Sequence, residues 1–395
     1  MSEYVAFEIQ AEIMKRLPVK SLVRFRSVSK PWKSLIDSSE FISGYRVHQP
    51  DPQHLLVWYK DPVDTNEKYV TFVDDEAFAQ QELAPAVPVL SKFLNDLKTV
   101  GSSQGLLCFY GYYQDPSHPR FEFATEMAVL WNPSIRKSIC VTVPGESLWS
   151  KFVLGFGVCP ITNDPTIVKI TNVDAYSTTD DDSSPMVEVF TLSRGSWRIP
   201  SNNLPKKSIQ VTWSQVVIDN FIYWAAFDQY LDDDDDGQIQ KNLIVSFDMT
   251  THEFKVINLP KSLAYHGFVR VAQSVSKVRD SLAVLEYITY TDSQSESELQ
   301  VCDVWIMDHS IPHMFTKLFT IEKECDSIKI LGFTKRGEAM METQDVYEEP
   351  ASLVVYEPNS KYFNDTGING ERGALFVSLY METLLLLDQS DCSVL

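Results

Sequence analysis

The run 232-DDDDDG-237 is the stretch of this chain whose residue types come closest to metal chemistry. Its alternate Asp residues and closing Gly match the first half of an EF-hand calcium loop. The twelfth position of such a loop needs a bidentate Glu, but here it is Leu243, inside an apolar run that favours a strand. We therefore expect a solvated loop. Together with a second acidic run, 180-DDD-182, it could form part of a surface that attracts a basic partner.

Two further patterns suggest chemistry but lack the groups that would complete it. The tripeptide 365-DTG-367 occurs in aspartic proteases, which need two apposed copies so that two carboxylates share one proton. Only one copy exists here, so we predict a turn. His309 and His313 have helical ligand spacing, but Pro312 lies between them and no Cys or carboxylate pattern accompanies them. With no Gly-rich phosphate loop and no GxSxG elbow, we predict no catalytic residues, no metal, no cofactor and no enzymatic activity.

The charge of the chain is unevenly distributed. The formal net charge is −20, yet residues 1–47 contain eight Lys or Arg and five acidic side chains, so the remainder carries −23. Such asymmetry indicates two parts with separate partners, and the acidic part would repel nucleic acid. The six cysteines are scattered without a CxxC pair, which fits a reducing compartment. Because no secretory or membrane-spanning segment is recognisable, we expect a cytoplasmic or nuclear protein that has no membrane partner.

The basic N-terminal part is predicted to be helical. Apolar residues from Phe7 to Leu17 lie on one helical face, and Pro18 prevents a further turn. A second apolar pattern runs from Leu22 to Val28. A third helix is expected after Ser29, which is a good N-cap because Pro31 follows in the first turn. Three helices in 47 residues cannot bury all of their apolar faces, so the next domain or a partner must cover the rest.

The rest of the chain has the pattern of short β-strands separated by turns. Five segments consist of an apolar strand, a turn and a second strand. The aromatic residues that precede the five turns are Trp131, Phe190, Phe247, Trp305 and Tyr356. They recur roughly every 50 to 60 residues, a period typical of β-propeller blades. If residues 54–110 form another unit, about six blades result. An irregular pair of β-sandwiches remains an alternative.

Two known modules resemble this chain. Residues 7-FEIQAEIMKRLPVKSLVRFRSVSKPWKSLIDSSEFI-42 resemble the plant F-box, which binds the Skp-type adaptor of SCF ubiquitin ligases. The segments 129-VLWNPSIRK-137, 245-VSFDMTTHEFKVINLP-260 and 354-VVYEPNSK-361 resemble the F-box-associated, kelch-like β-propeller domain. The resemblance implies an α+β multidomain protein. Its expected parts are a three-helix F-box at 1–47, a linker at 48–54, an all-β propeller-like domain of about six blades at 55–390 and a tail at 391–395.

The resemblance also implies which residues contact the adaptor. Carried over position by position, they are Val5, Ala6, Phe7, Ile9, Ile13, Leu17, Pro18, Leu22, Val28, Lys30 and Trp32. We expect Lys30 to face the partner, whereas Leu22 could equally belong to the core. The family usually has Leu-Pro where this chain has Val5-Ala6. Alanine lacks the ring and the fixed φ of proline, so adaptor docking could be weakened.

The function that the resemblance implies is that of a substrate receptor in an SCF-type cullin–RING ubiquitin ligase. The F-box would bind the Skp-type adaptor and, through it, cullin, while the propeller would bind a protein target, possibly a basic one. One alternative is a scaffold protein whose adaptor docking is weakened by Val5-Ala6. Another is a propeller enzyme, for which the sequence nominates no catalytic residues. The substrate-binding residues are not identifiable from the sequence.

Overall fold

The fold was analysed in a computed structural model of the 395-residue chain. The structure describes residues 5–47, 54–74, 80–81, 94–114, 117, 124–145, 152–172, 187–201, 204–206, 208–231, 238–265, 271–291, 298–308 and 314–390. The chain divides into two compact units. Unit 1 comprises Met1–Leu56, Thr71–Leu148 and Leu379–Leu395, and unit 2 comprises Val57–Val70 and Trp149–Ser378.

Four helices form the N-terminal part of unit 1, where the sequence predicted three. They are α1 (Phe7–Met14), α2 (Val19–Phe25), α3 (Lys30–Ile36) and α4 (Ser39–Val47). Ser29 caps α3 as predicted, because its side chain accepts a hydrogen bond from the Trp32 backbone. The fourth helix has a similar beginning, since the Ser38 hydroxyl accepts a hydrogen bond from the backbone N–H of Phe41 at 3.2 Å. This cap is the local signal that the prediction missed.

A short helix, α5 (Lys261–Ala264), and 24 strands make up the other described elements. The strands are β1 (His54–Lys60), β2 (Glu67–Val73), β3 (Gln80–Gln81), β4 (Leu94–Ser103), β5 (Leu106–Tyr113), β6 (Thr125–Asn132), β7 (Lys137–Thr142), β8 (Phe152–Val158), β9 (Pro165–Thr171), β10 (Val187–Thr191), β11 (Ser196–Arg198), β12 (Ile209–Ile218), β13 (Phe221–Leu231), β14 (Gln238–Asp248), β15 (Phe254–Asn258), β16 (Val271–Val278), β17 (Ser281–Thr291), β18 (Glu298–Met307), β19 (Phe315–Glu324), β20 (Ser327–Phe333), β21 (Ala339–Gln344), β22 (Ala351–Glu357), β23 (Tyr362–Gly370) and β24 (Leu375–Tyr380).

These strands form six four-stranded sheets, the number of blades that the sequence predicted. Five sheets are meanders of consecutive strands, β4 to β7, β8 to β11, β12 to β15, β16 to β19 and β20 to β23. The sixth has the order β24-β1-β2-β3. The prediction that residues 54–110 form one unit is therefore wrong. Residues 54–81 contribute three strands to a sheet that β24 completes, and β4 and β5 belong to the next sheet.

The five aligned aromatic residues all lie on the third strand of a meander. In three of the sheets the residue opposite on the fourth strand is also aromatic. These cross-strand pairs are Phe190 with Trp197, Phe247 with Phe254 and Tyr356 with Phe363. Their ring centroids are 5.6, 4.9 and 4.8 Å apart. Such contacts stabilise the hairpin beyond the area that the rings bury, so the repeat seen in the sequence has a structural cause.

The core of unit 2 lies between successive sheets. Trp224 on β13 is fully buried and packs with Phe247 on the same sheet and with Val168 and Val189 on the preceding one. Gly155 on β8 permits this packing, because a Cβ atom there would lie 2.0 Å from the Trp224 ring. Trp224 therefore serves packing, as does the fully buried Trp131 in unit 1.

Candidate adaptor-binding surface

The F-box-like helices of unit 1 have one buried face. Val19, Leu22, Ile36, Phe41 and Tyr45 are almost completely buried there. Leu22 was a candidate adaptor contact, but its side chain has no exposed surface and packs inside unit 1. The same i, i+3, i+4 pattern that predicted the helices cannot tell this buried face from one reserved for a partner.

Five large apolar side chains of this N-terminal part are instead exposed. Val5, Phe7, Ile9, Ile13 and Val28, here called the apolar ridge, are each between 42% and 63% exposed. All five were predicted adaptor contacts. Of the other candidates, Ala6, Pro18 and Lys30 are exposed and Leu17 and Trp32 are half-buried. Large apolar side chains left exposed on a folded protein are candidates for an interaction surface.

Trp32 is held in place by α1 and α2. Its indole N–H donates to the Gln10 side-chain carbonyl at 3.0 Å, and its ring lies 5.2 Å from that of Phe25. The amide group of Gln10 in turn donates to the Val5 carbonyl oxygen at 2.7 Å. Gln10 thus connects the segment before α1 to α3. Gln10 was not predictable from the sequence, because it lies 22 residues from Trp32 and no local pattern links the two.

The helices α1 and α2 begin with almost the same backbone geometry. The residue before α1, Ala6, has φ −56° and ψ 145°, and the residue before α2, Pro18, has φ −57° and ψ 146°. Ala6 therefore already has the conformation that proline would impose. The absence of Leu-Pro at this position removes a ring and some rigidity but leaves the backbone path unchanged.

The same helices carry exposed basic side chains. Lys20, Arg24 and Lys30 are exposed and form no ion pair within the described part of the chain. Arg26 instead holds Asp37 through two hydrogen bonds, from Nε at 2.6 Å and from Nη2 at 3.0 Å. Burial raises the pKa of Asp37, but the hydrogen bonds and charges of Arg26 and Lys33 outweigh it and lower the pKa overall. This ion pair links the ends of α2 and α3.

Residues 381–390, the C-terminal segment, contact the helices within unit 1. The Glu382 carboxylate accepts a hydrogen bond from the Val19 backbone N–H at 2.8 Å. The Tyr45 hydroxyl donates to the Leu17 carbonyl oxygen at 2.9 Å, and burial followed by the charge of Glu382 raises the pKa of Tyr45. The segment is itself anchored to β6, because the Asn132 side chain donates to the carbonyl oxygens of Thr383 and Leu385.

Of the other sequence patterns, the acidic runs and the two histidines are not described by the structure, whereas the DTG tripeptide is. The acidic runs at 180–182 and 232–237 and the histidines at 309 and 313 lie outside the described residues. The DTG tripeptide does not form the predicted turn. It lies within β23, where Gly367 donates its backbone N–H to the Asp365 side chain next to a register shift against β22. A hydrogen bond of this kind, from a backbone N–H to an Asp side chain two residues earlier, is common in turns, which explains why the tripeptide resembles a turn in the sequence.

Metal clusters and membrane-spanning helices are both absent from the described residues. In the described part of the chain, no three His, Cys, Asp or Glu side chains are grouped so that they could hold a metal ion. Among the described helices, none combines the length and hydropathy needed to cross a membrane.

Family models match both parts of the chain. The model described as "F-box associated beta propeller domain" matches residues 65–389. The chain belongs to this family. The F-box domain model also matches, at residues 7–43, so the resemblance inferred from the sequence is confirmed. The F-box match contains every member of the apolar ridge except Val5.

Other F-box proteins with similar sequences occur in Arabidopsis thaliana. F-box protein CPR1 is 25% identical, over 81% of this chain and 73% of CPR1. At1g47790 is 26% identical, over 65% of this chain and 59% of the relative, and F-box protein At1g52495 is 26% identical, over 66% and 58%. The chain thus spans about three fifths of the length of some relatives. A Bombyx mori GH32 beta-fructofuranosidase aligns over 70% of this chain and 62% of its own at 9% identity and a TM-score of 0.39, which carries no functional argument.

Proposed function

We propose that this F-box protein is a substrate-receptor subunit of an SCF-type cullin–RING ubiquitin ligase. The observation that carries the proposal is the apolar ridge, whose side chains remain exposed on an F-box in which Val19, Leu22 and Ile36 are fully buried. In this assignment the ridge docks on the apolar surface of a Skp-type adaptor, which connects the chain to cullin. The F-box-associated propeller domain binds the protein target.

The two kinds of side chain on the surface have different roles in docking. Burial of a large aliphatic side chain contributes about 1.5–3 kcal/mol, so the ridge supplies most of the affinity. Lys20, Arg24 and Lys30 accelerate the encounter with an acidic adaptor and favour one orientation.

The protein itself performs no chemistry under this proposal. It holds a lysine of the target close to the ubiquitin-conjugating enzyme, which converts a dilute encounter into a high local concentration. Ligases of this type act in the cytoplasm and nucleus, where we place the protein. The net charge of −23 outside residues 1–47 would attract a basic target at long range.

A second candidate function is that of a scaffold protein that binds its partner without directing ubiquitination. The observation that favours it is Ala6, which stands at a position where the family usually has proline. In this case the propeller domain retains its target but the F-box binds the adaptor too weakly to recruit cullin.

Binding of the full-length protein to a purified Skp-type adaptor tests the proposal. Ile13→Asp places a charge on the ridge at a side chain that is 53% exposed, so the fold has little reason to change. Ile161→Asp is the matched control, because Ile161 is an exposed isoleucine in unit 2. We expect submicromolar binding by the wild type and the control, and a loss of about tenfold or more for Ile13→Asp.

Equal binding by both variants would contradict the assignment of the ridge. Absence of binding by the wild type, with recovery in Ala6→Pro, would instead support the scaffold function. If neither protein binds, the receptor proposal fails.

A further inference from the structure

Unit 2 contains a small open cavity that neither the fold nor the proposed adaptor contact explains. Its volume is about 190 Å³, and it lies between the turn that joins β10 to β11 and the turn that joins β14 to β15. The polar residues that line it are Thr191, Arg194, Ser196, Arg198 and His252. The two turns belong to neighbouring sheets and each joins a third strand to a fourth.

Two arginines line the cavity, in a chain whose formal net charge is −20. Arg194 and Arg198 are exposed, and neither forms an ion pair with any residue that the structure describes. Burial, followed by the charge of Arg194, lowers the pKa of His252, while Asp248 and Asp164 act in the opposite direction. The positive charge at the cavity therefore comes from two guanidinium groups that have no carboxylate partner among the described residues, while the lowered pKa of His252 favours a neutral imidazole.

The two carboxylates that act on His252, those of Asp164 and Asp248, are engaged by hydrogen bonds from turn residues. Asp164 accepts hydrogen bonds from the Ser193 backbone N–H at 2.9 Å and from the Ser193 hydroxyl at 2.5 Å. Asp248 accepts hydrogen bonds from the Asn220 side chain and from the backbone N–H of Thr250. These contacts shape the turns and leave the two guanidinium groups available for an external anion.

The histidine is also fixed in position. The His252 ring stacks on Phe247 with a centroid distance of 5.6 Å and an interplanar angle of 26°. Its backbone has φ +59°, a left-handed conformation held by the turn, in which His252 N–H donates to the Asp248 carbonyl oxygen at 2.8 Å. The imidazole therefore needs little reorganisation to meet a ligand.

An apolar border lies next to the cationic groups. Ile199 is 70% exposed, and Val189 and Pro200 also line the cavity. The strand beside it, β11, lies at the edge of its sheet. Edge strands accept extended peptides, whose backbone adds to the sheet while alternate side chains enter neighbouring pockets.

We propose that this cavity binds an anionic group, a carboxylate or a phosphate, on an extended peptide segment that also places an apolar side chain against Ile199. Arg194 and Arg198 donate charge-assisted hydrogen bonds to the anion, and His252, Thr191 and Ser196 complete the polar lining. Assignment of the peptide to a ubiquitination target rests on the proposed function, but the binding itself does not involve the adaptor.

This site refines the expectation of a basic target. The net charge of the chain biases the approach of a target but decays over about 8 Å at physiological ionic strength, whereas the cavity selects charge at contact. A target can therefore be basic overall and still present an acidic or phosphorylated residue here.

Labelled nonapeptide pools test the proposal by fluorescence polarisation with the full-length protein. Each pool is degenerate except for a central Glu, phosphoserine, Gln or Lys, which is followed by Leu. The variants are Arg194→Gln and Arg198→Gln, and the matched control is Arg279→Gln, which removes the same charge from an exposed turn of unit 2. Thermal unfolding confirms that each variant is folded.

We expect the Glu or the phosphoserine pool to bind at least about fivefold more tightly than the Gln pool. Arg194→Gln and Arg198→Gln should each lower the affinity for that pool about tenfold, the effect of losing one charge-assisted hydrogen bond, whereas Arg279→Gln should not lower it. The tighter of the two anionic pools identifies the source of the charge. Equal binding of the Glu, phosphoserine and Gln pools, no binding by any pool, or an equal loss in Arg279→Gln would overturn the proposal. Because no adaptor is present, failure here is distinct from failure of the ligase assignment.

Discussion

The backbone N–H of Val19 donates to the carboxylate of Glu382 at 2.8 Å, across 363 residues of sequence. Val19 is the first residue of α2, and the preceding Pro18 has no side chain that can cap the helix. A carboxylate at this end also interacts favourably with the helix dipole. The C-terminal segment therefore supplies the N-cap of an F-box helix, and the helices are secured within unit 1 by a residue far away in sequence.

Glu382→Ala is expected to destabilise the protein by about 1 kcal/mol, the usual contribution of a helix cap. Hydrogen exchange of the α2 amides should accelerate, and the melting temperature should fall. Glu382→Gln retains an acceptor oxygen and should lose less. If exchange in α2 is unchanged in Glu382→Ala, the cap does not contribute.

Ala6→Pro should be accommodated without strain, because Ala6 has almost the same φ and ψ as Pro18. The substitution reduces the freedom of the unfolded chain, so we expect a gain of about 0.4–1 kcal/mol. Adaptor affinity should stay the same or rise several-fold. A lower melting temperature in Ala6→Pro would show that the proline ring clashes or that the N–H of residue 6 is needed.

Trp32 has separable packing and hydrogen-bonding roles. Trp32→Phe keeps an aromatic ring near Phe25 but loses the hydrogen bond to Gln10, a cost of about 1 kcal/mol. Trp32→Ala loses both, so adaptor binding and target ubiquitination should fall much further, while target binding persists. Pull-down of the target in parallel with a ubiquitination assay checks this. Loss of target binding in Trp32→Ala would contradict the division of labour between the two domains.

Asp37 predicts a dependence of F-box stability on pH. Because its pKa is lower in the folded state, its contribution is present above the unfolded pKa of about 3.9 and is lost as pH falls through the folded value. Asp37→Asn should therefore melt at a lower temperature than the wild type at pH 7, and the difference should shrink below about pH 4. A difference that is constant from pH 7 to pH 3 would mean that the charge of Asp37 is not what stabilises this site.

Gly155→Ala should destabilise unit 2 strongly, because the new methyl group would lie 2.0 Å from the ring of the fully buried Trp224. Overpacking of this kind costs about 3 kcal/mol. Gly332→Ala is the control, since the nearest atom to its Cβ would be 3.9 Å away. Thermal unfolding compares the two, and equal melting temperatures would contradict the contact.

Local patterns in the sequence were sufficient for much of the fold. The Ser29–Pro31 start of α3 and the face shared by Leu243, Val245 and Phe247 involve residues within a few positions of one another. The aromatic residues before the turns recur because each meander repeats the same contact between its third and fourth strands. Such features depend on propensity and periodicity, which a single sequence contains.

Contacts between distant segments were decided only by the tertiary structure. Leu22 and Val28 belong to one apolar pattern in the sequence, yet Leu22 is buried within α2, whereas Val28 lies beyond the end of that helix and is 63% exposed. The cap from Glu382, the place of β24 beside β1, and the convergence of Arg194, Arg198 and His252 likewise join residues with no local relationship. The sequence determined most of the elements, the number of blades and the family to which the chain belongs. Packing of the elements determined which side chains remain available for partners.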